Sequence, residues 1–152
     1  TEVWSMTIEE KIARYREIPK LIEDLQIDKE ICTSVKSVQY DSIGEAKGTH
    51  ENSTEKKLID AAEISQKIAV LQLERDRLEL SIMQHINGAL CGGDKETVDM
   101  RIVLKKYLLQ GISLKQIATR HLHRNYTKTK ELYNTGCNII KNFPSLTENN
   151  RE

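Results

Sequence analysis

Apolar positions in this chain recur at intervals of three and four residues, and nowhere do they alternate with polar ones long enough to suggest a strand. The longest series is Ala61, Ile64, Ile68, Leu71, Arg75, Leu78 and Ile82, a 3-4-3-4-3-4 spacing with Arg75 as its one polar member. That is three heptads of a coiled-coil seam. A second series, Ala62, Ala69, Leu73, Leu80 and Met83, falls nearly opposite on the helical wheel. Ser53 or Thr54 can cap this helix, which runs to about Asn87 before Gly88 and the pair Gly92-Gly93. A surface helix needs only one apolar stripe. Two stripes predict contact on both sides, by the chain's own N-terminal helix and by a second copy. A monomeric hairpin whose second stripe packs on the C-terminal residues satisfies the same pattern. Arg75 is read either as a buried register-setting cation paired with Glu74, Asp76 or Glu79, or as a side chain reaching out to solvent.

Upstream, Thr7 and Glu10 form a capping box, and Ile8, Ile12, Tyr15, Ile22 and Leu25 make one stripe. Pro19 is expected to kink or split that helix, which ends between Gln26 and Thr33. Residues 34–53 are polar and aperiodic and are read as a flexible linker. Downstream, Asp94 caps a helix with Val98, Ile102, Leu104 and Leu108 inward, closed by Gln110-Gly111. Ser113 opens the next helix, with Gln116 three residues on and Leu114, Ile117 and Ala118 facing inward. The turn Leu122–Asn125 leads to a last helix capped by Asn125 or Thr127. Leu132, Gly136, Ile139 and Phe143 are its inward face, extended by Ile140, and Pro144 ends it. The expected fold is all-α: a long helical hairpin or coiled-coil dimerisation module in residues 1–93, a helix-turn-helix module in 94–144, and a disordered polar tail in 145–152.

Charge sharpens this division. The net charge of the chain is zero, yet residues 1–93 carry 12 basic and 17 acidic side chains, a net of −5, and residues 94–152 carry 11 and 6, a net of +5. A helix-turn-helix pattern bearing the positive half points to a polyanion, double-stranded DNA above all. Cys32, Cys91 and Cys137 are odd in number and lack zinc-finger spacing, so reduced thiols are expected. There is no 18-residue apolar run and no basic region leading into an apolar core at the N-terminus, so neither a membrane span nor a signal peptide is predicted. A cytoplasmic protein is the expectation. No cofactor, metal or catalytic constellation is expected either: glycine-rich phosphate loops, HExxH and nucleophile elbows are lacking, and His85 near Cys91 is too weak a pair.

On the last helix, the face opposite the inward stripe carries Thr127, Lys130, Glu131 and Asn134, with Asn138 and Lys141 beyond. These side-chain types match base edges: lysine donates to guanine O6 and N7, asparagine pairs with adenine, and glutamate accepts from cytosine N4. Lys115, Arg120, His123, Arg124 and Lys128 flank that face and are read as phosphate contacts. The candidate dimer contacts are Ile64, Ile68, Leu71, Leu73, Arg75, Leu78, Leu80 and Ile82.

The unit Y-(x)3-G-x-S-(x)3-I-A, here Tyr107, Gly111, Ser113, Ile117 and Ala118, follows a charged hairpin and a polar linker. In this layout the chain resembles the small RinA/ArpU-like regulators of phages and prophages of Gram-positive bacteria, whose C-terminal module is similar to region 4 of sigma-70 factors. The resemblance implies activation of late phage genes from a promoter-proximal DNA site, with host RNA polymerase as a further partner. Sigma-like modules carry valine or isoleucine four residues after the recognition-helix cap. With Thr127 as cap that position is Glu131, so either the cap lies at Lys128 or the turn carries an insertion. Two other readings use the same parts: a small-terminase-like DNA-packaging protein, and a coiled-coil adaptor or inhibitor of a host protein.

Overall fold

The structure is a computed structural model that describes residues 5–34 and 47–144, with side chains from 55 onward in the second span. All regular structure among the described residues is helical. Helix α1 spans Ile8–Ser34 and α2 spans Lys47–Ala89. Helix α3 spans Lys95–Leu104 and widens into a π-helical turn over Lys105–Leu109. Helix α4 spans Leu114–Gln116 and widens likewise over Ile117–Leu122, and α5 spans Tyr126–Asn142.

Local signals account for most of these ends. The Thr7 hydroxyl accepts from the Glu10 N–H and the Glu10 carboxylate accepts from the Thr7 N–H, both at 3.2 Å, completing the expected capping box. Asp94, Ser113 and Asn125 each accept from the backbone N–H three residues on. Hydrogen bonds from the Thr97 side chain and backbone hold the Asp94 carboxyl below its usual range.

Some boundaries differ from the expectation. α1 does not split at Pro19 and continues to Ser34. A proline costs a helix one N–H donor and a clash one turn back, and the apolar spacing resumes at once with Leu21, Ile22 and Leu25. α2 starts at Lys47 rather than at Ser53 or Thr54, so Lys47–Ser53 is helix and not linker. No apolar periodicity marks those first turns, which is why the pattern missed them. Residues 35–46 of the expected linker and the expected tail 145–152 lie outside the described residues.

The chain divides into two compact units, Arg16–Asp76 and Thr1–Tyr15 with Arg77–Glu152. Residues at the start of α1 and the end of α2 therefore pack with 94–144. Five hydrogen bonds show how. Lys11 Nζ donates to Ser81 Oγ at 2.8 Å and Tyr15 OH donates to the Leu109 carbonyl at 3.1 Å. His85 Nε2 lies 2.7 Å from the Ile140 carbonyl, and the Arg101 guanidinium donates to the carbonyls of Leu90 and, at 2.8 Å, Gly92. The core of this unit is built from Ile8, Tyr15, Leu78, Ile82, Ile86, Val103, Leu104, Ile117, Leu132 and Ile140. His85 is buried with them, edge-on to Phe143. Lys11 shares the buried stripe of α1, and burial pushes its ammonium pKa down.

In the other unit, Ile64, Ile68, Leu71 and Arg75 are half-buried, while Ile27, Ile31, Leu58, Ile59, Val70 and Leu73 are exposed. The two series on α2 thus have different fates. Leu78 and Ile82, expected at a dimer contact, are completely buried within the chain and cannot reach a partner. Leu73 and Leu80, on the opposite series, are each 51% exposed.

Candidate nucleic-acid interface

Helix α5 packs against both α3 and α4. Each of the latter two ends in the same way. At the end of α3, the Ile112 N–H reaches back six residues to the Lys106 carbonyl at 3.0 Å, across Gly111 at φ 68°. At the end of α4, the Arg124 N–H reaches the Ala118 carbonyl at 3.0 Å, across His123 at φ 52°. Both are Schellman-type closures, which require a left-handed residue. Glycine takes that conformation freely; His123 takes it at a cost.

The turn fixes the register of α5. Asn125 is the cap, its side chain accepting from the Lys128 N–H at 2.7 Å, so Thr127 already lies inside the helix. Four residues after this cap stands Thr129, which has no exposed surface and returns its hydroxyl to the Asn125 carbonyl at 3.0 Å. Threonine has the shape of valine, and the hydrogen bond satisfies its one polar atom, so it packs in the core as an apolar residue would. The cap is neither Thr127 nor Lys128. The buried face of α5 is Thr129, Leu132, Gly136 and Ile140. Ile139, expected inward, is instead exposed, while Leu132, Gly136 and Ile140 are buried as expected.

Gly136 is where α5 meets α3 most closely. A Cβ there would come within 2.9 Å of Leu104 Cδ1. Nearby, Tyr107 and Tyr133 stack edge-on with ring centroids 4.8 Å apart.

The opposite face of α5 presents Thr127, Lys130, Glu131 and Asn134, all exposed, with Asn138 following. Their spacing of three and four puts them on one side of the helix, facing away from the core. Of the five expected phosphate contacts, Lys115, Arg120 and His123 are exposed. The other two are engaged within the fold. Arg124 Nη2 lies 2.8 Å from Asp99 Oδ2 in a largely buried pair, and Lys128 Nζ lies 3.4 Å from Glu96 Oε1 at the surface. Both acids belong to α3, so these two cations tie the turn and the start of α5 to α3. Lys141 is likewise 3.3 Å from Glu9 of α1.

Sequence reasoning passed over Tyr126. It is the first residue of α5, 43% exposed, with Lys115 Nζ 5.9 Å from its ring centroid. An exposed aromatic beside an exposed cation, at the opening of a helix, was the available signal.

Comparison of the chain with protein-family models, with curated proteins and with solved structures finds no match. No helix among the described residues is long and apolar enough to cross a membrane.

Proposed function

We propose that this chain is a double-stranded-DNA-binding transcriptional regulator. Residues 94–144 act as a helix-turn-helix whose third helix, α5, enters the major groove. One observation carries the reading: α5 is held by a buried face while its whole opposite face offers Thr127, Lys130, Glu131 and Asn134, types that pair with base edges. Lys115, Arg120 and His123 with Tyr126 suit the flanking phosphates. The cap at Asn125, with Thr129 four residues on, fits the sigma-like spacing and so supports the RinA/ArpU-like reading, in which the protein acts in pairs on phage or prophage promoters and engages host RNA polymerase.

The test is a fluorescence-anisotropy titration on duplex DNA at several salt concentrations. With Lys115, Arg120 and Lys130 meeting the backbone or bases, the slope of log K against log salt should be about −3 per chain. Lys130→Ala should narrow the gap between best and random sites by roughly 1–3 kcal/mol. Lys115→Ala should weaken all sequences alike and reduce the slope by about 1. Affinity that does not change with salt would end the proposal. Light scattering on the same sample distinguishes a regulator from a packaging protein, which would assemble as a large ring.

A further inference from the structure

The face of α2 that the chain leaves uncovered has a sequence that selects one way of being covered. Its positions run Ile59, Ala62, Gln66, Ala69, Leu73, Asp76, Leu80 and Met83, a 3-4 spacing held over three and a half heptads, and all are exposed. Ile59 and Leu73, with Leu80, are each more than half exposed. The other apolar series of the same helix is the one folded inward. We propose that this face pairs with the same face of a second copy of the chain, and that the two α2 helices run antiparallel.

The choice of occupant and of direction comes from size and charge. In an antiparallel pair centred on Leu71, Leu80 lies across from the second copy's Ala62 and Leu73 from its Ala69. Ile59 lies across from Met83. Large side chains then meet small ones at the two inner apolar layers, which lets the helices approach closely and evenly. The two polar seam residues fall opposite each other, with the Gln66 amide able to donate to the Asp76 carboxylate twice over in the symmetric pair. At the edge of the seam, Glu63 falls beside the second copy's Arg77, again twice, and the exposed Val70 meets its own counterpart on the dyad. A parallel in-register pair has none of this. It sets Asp76 against Asp76, an uncompensated like-charge contact in an apolar seam, and stacks alanine on alanine at two layers and leucine on leucine at two more.

This deepens the paired part of the reading above but needs no DNA for its test. Cys32, Cys91 and Cys137 are replaced by serine, helicity is checked by circular dichroism, and Ala62→Cys and Leu80→Cys are made separately in that background. Under mild oxidation an equal mixture of the two should give abundant disulfide-linked dimer, while either alone should give little. In the antiparallel pair Leu80 of one chain lies about 27 Å along the axis from Leu80 of the other, far beyond disulfide reach. Self-linkage of Leu80→Cys alone, exceeding that of the mixture, would overturn the antiparallel direction. Sedimentation equilibrium of the unmodified chain should give twice the chain mass, and Leu73→Glu with Leu80→Glu should raise the dimer dissociation constant at least 100-fold. A single-chain mass before any substitution would overturn the pairing itself. A dimer without salt-dependent DNA binding leaves this inference standing and removes only the DNA reading; a monomer that binds DNA does the reverse.

Discussion

At the scale of single residues, two charged side chains matter because of where they are held. Arg124 was read as a phosphate contact and is instead the partner of Asp99, whose side chain is almost covered. Removing one member of such a pair strands the other. Arg124→Met should therefore destabilise the fold by about 3 kcal/mol, with Asp99→Leu in the same chain recovering most of it; paired thermal melts measure both. A phosphate contact alone would leave the melt unchanged. Lys11 makes a pH-dependent contribution. Burial lowers its folded pKa, so the ammonium is a cost to the fold wherever the unfolded chain holds it charged. That cost is fully present below the folded pKa, falls as pH rises from there toward the ordinary lysine range, and is gone above it. Stability measured against Lys11→Met should consequently improve for the native chain across the alkaline range below the ordinary lysine value. Lys105 is shifted the same way by burial and by Arg101, so the difference between the two chains, not the native curve, isolates Lys11.

At the scale of elements, the close approach of α5 to α3 rests on Gly136. Gly136→Val would add a branched side chain against Leu104, where a single Cβ already lies too near. Overpacking of this kind should lower stability by about 1–3 kcal/mol, read as a fall in the denaturation midpoint. Here the sequence was legible to a definite depth. Among the described residues the caps that act through a side chain, at Thr7, Asp94, Ser113 and Asn125 (the last with Thr127 as its alternative), were visible, because a capping side chain and the N–H that donates to it lie within three residues of one another. So was the exposed face of α5, since it depends only on helical period. What stayed hidden depends on partners far along the chain. Asp99 lies 25 residues from Arg124 and Glu96 lies 32 from Lys128, and nothing local distinguishes a cation so engaged from one left for phosphate. The burial of Lys11 against Ser81, 70 residues on, is the same case. The π-helical turns ending α3 and α4 had no signature in the apolar pattern either, because they change hydrogen bonding and not residue type.

At the scale of the whole molecule, opposite charge in the two halves of the sequence does not map onto two halves of the structure. One unit takes residues from the start of the chain and from its second half, and joins the start of α1 and the end of α2 to the basic helices α3 to α5. A fragment beginning at Asp94 would lack Tyr15, Leu78, Ile82, His85 and Ile86, and with them much of the core on which α5 is seated. Topologically, Arg16–Asp76 is an excursion out of that unit. The chain leaves it after Tyr15 and re-enters at Arg77, and the Lys11–Ser81 hydrogen bond lies four residues inside each of those points. Exit and re-entry are thus anchored side by side. The excursion is formally an insertion, so α5 and its support can be separated from the larger part of the uncovered seam of α2, Ile59 to Asp76, by shortening the chain in its middle, but not by cutting it at a hinge; Leu80 and Met83 stay with α5.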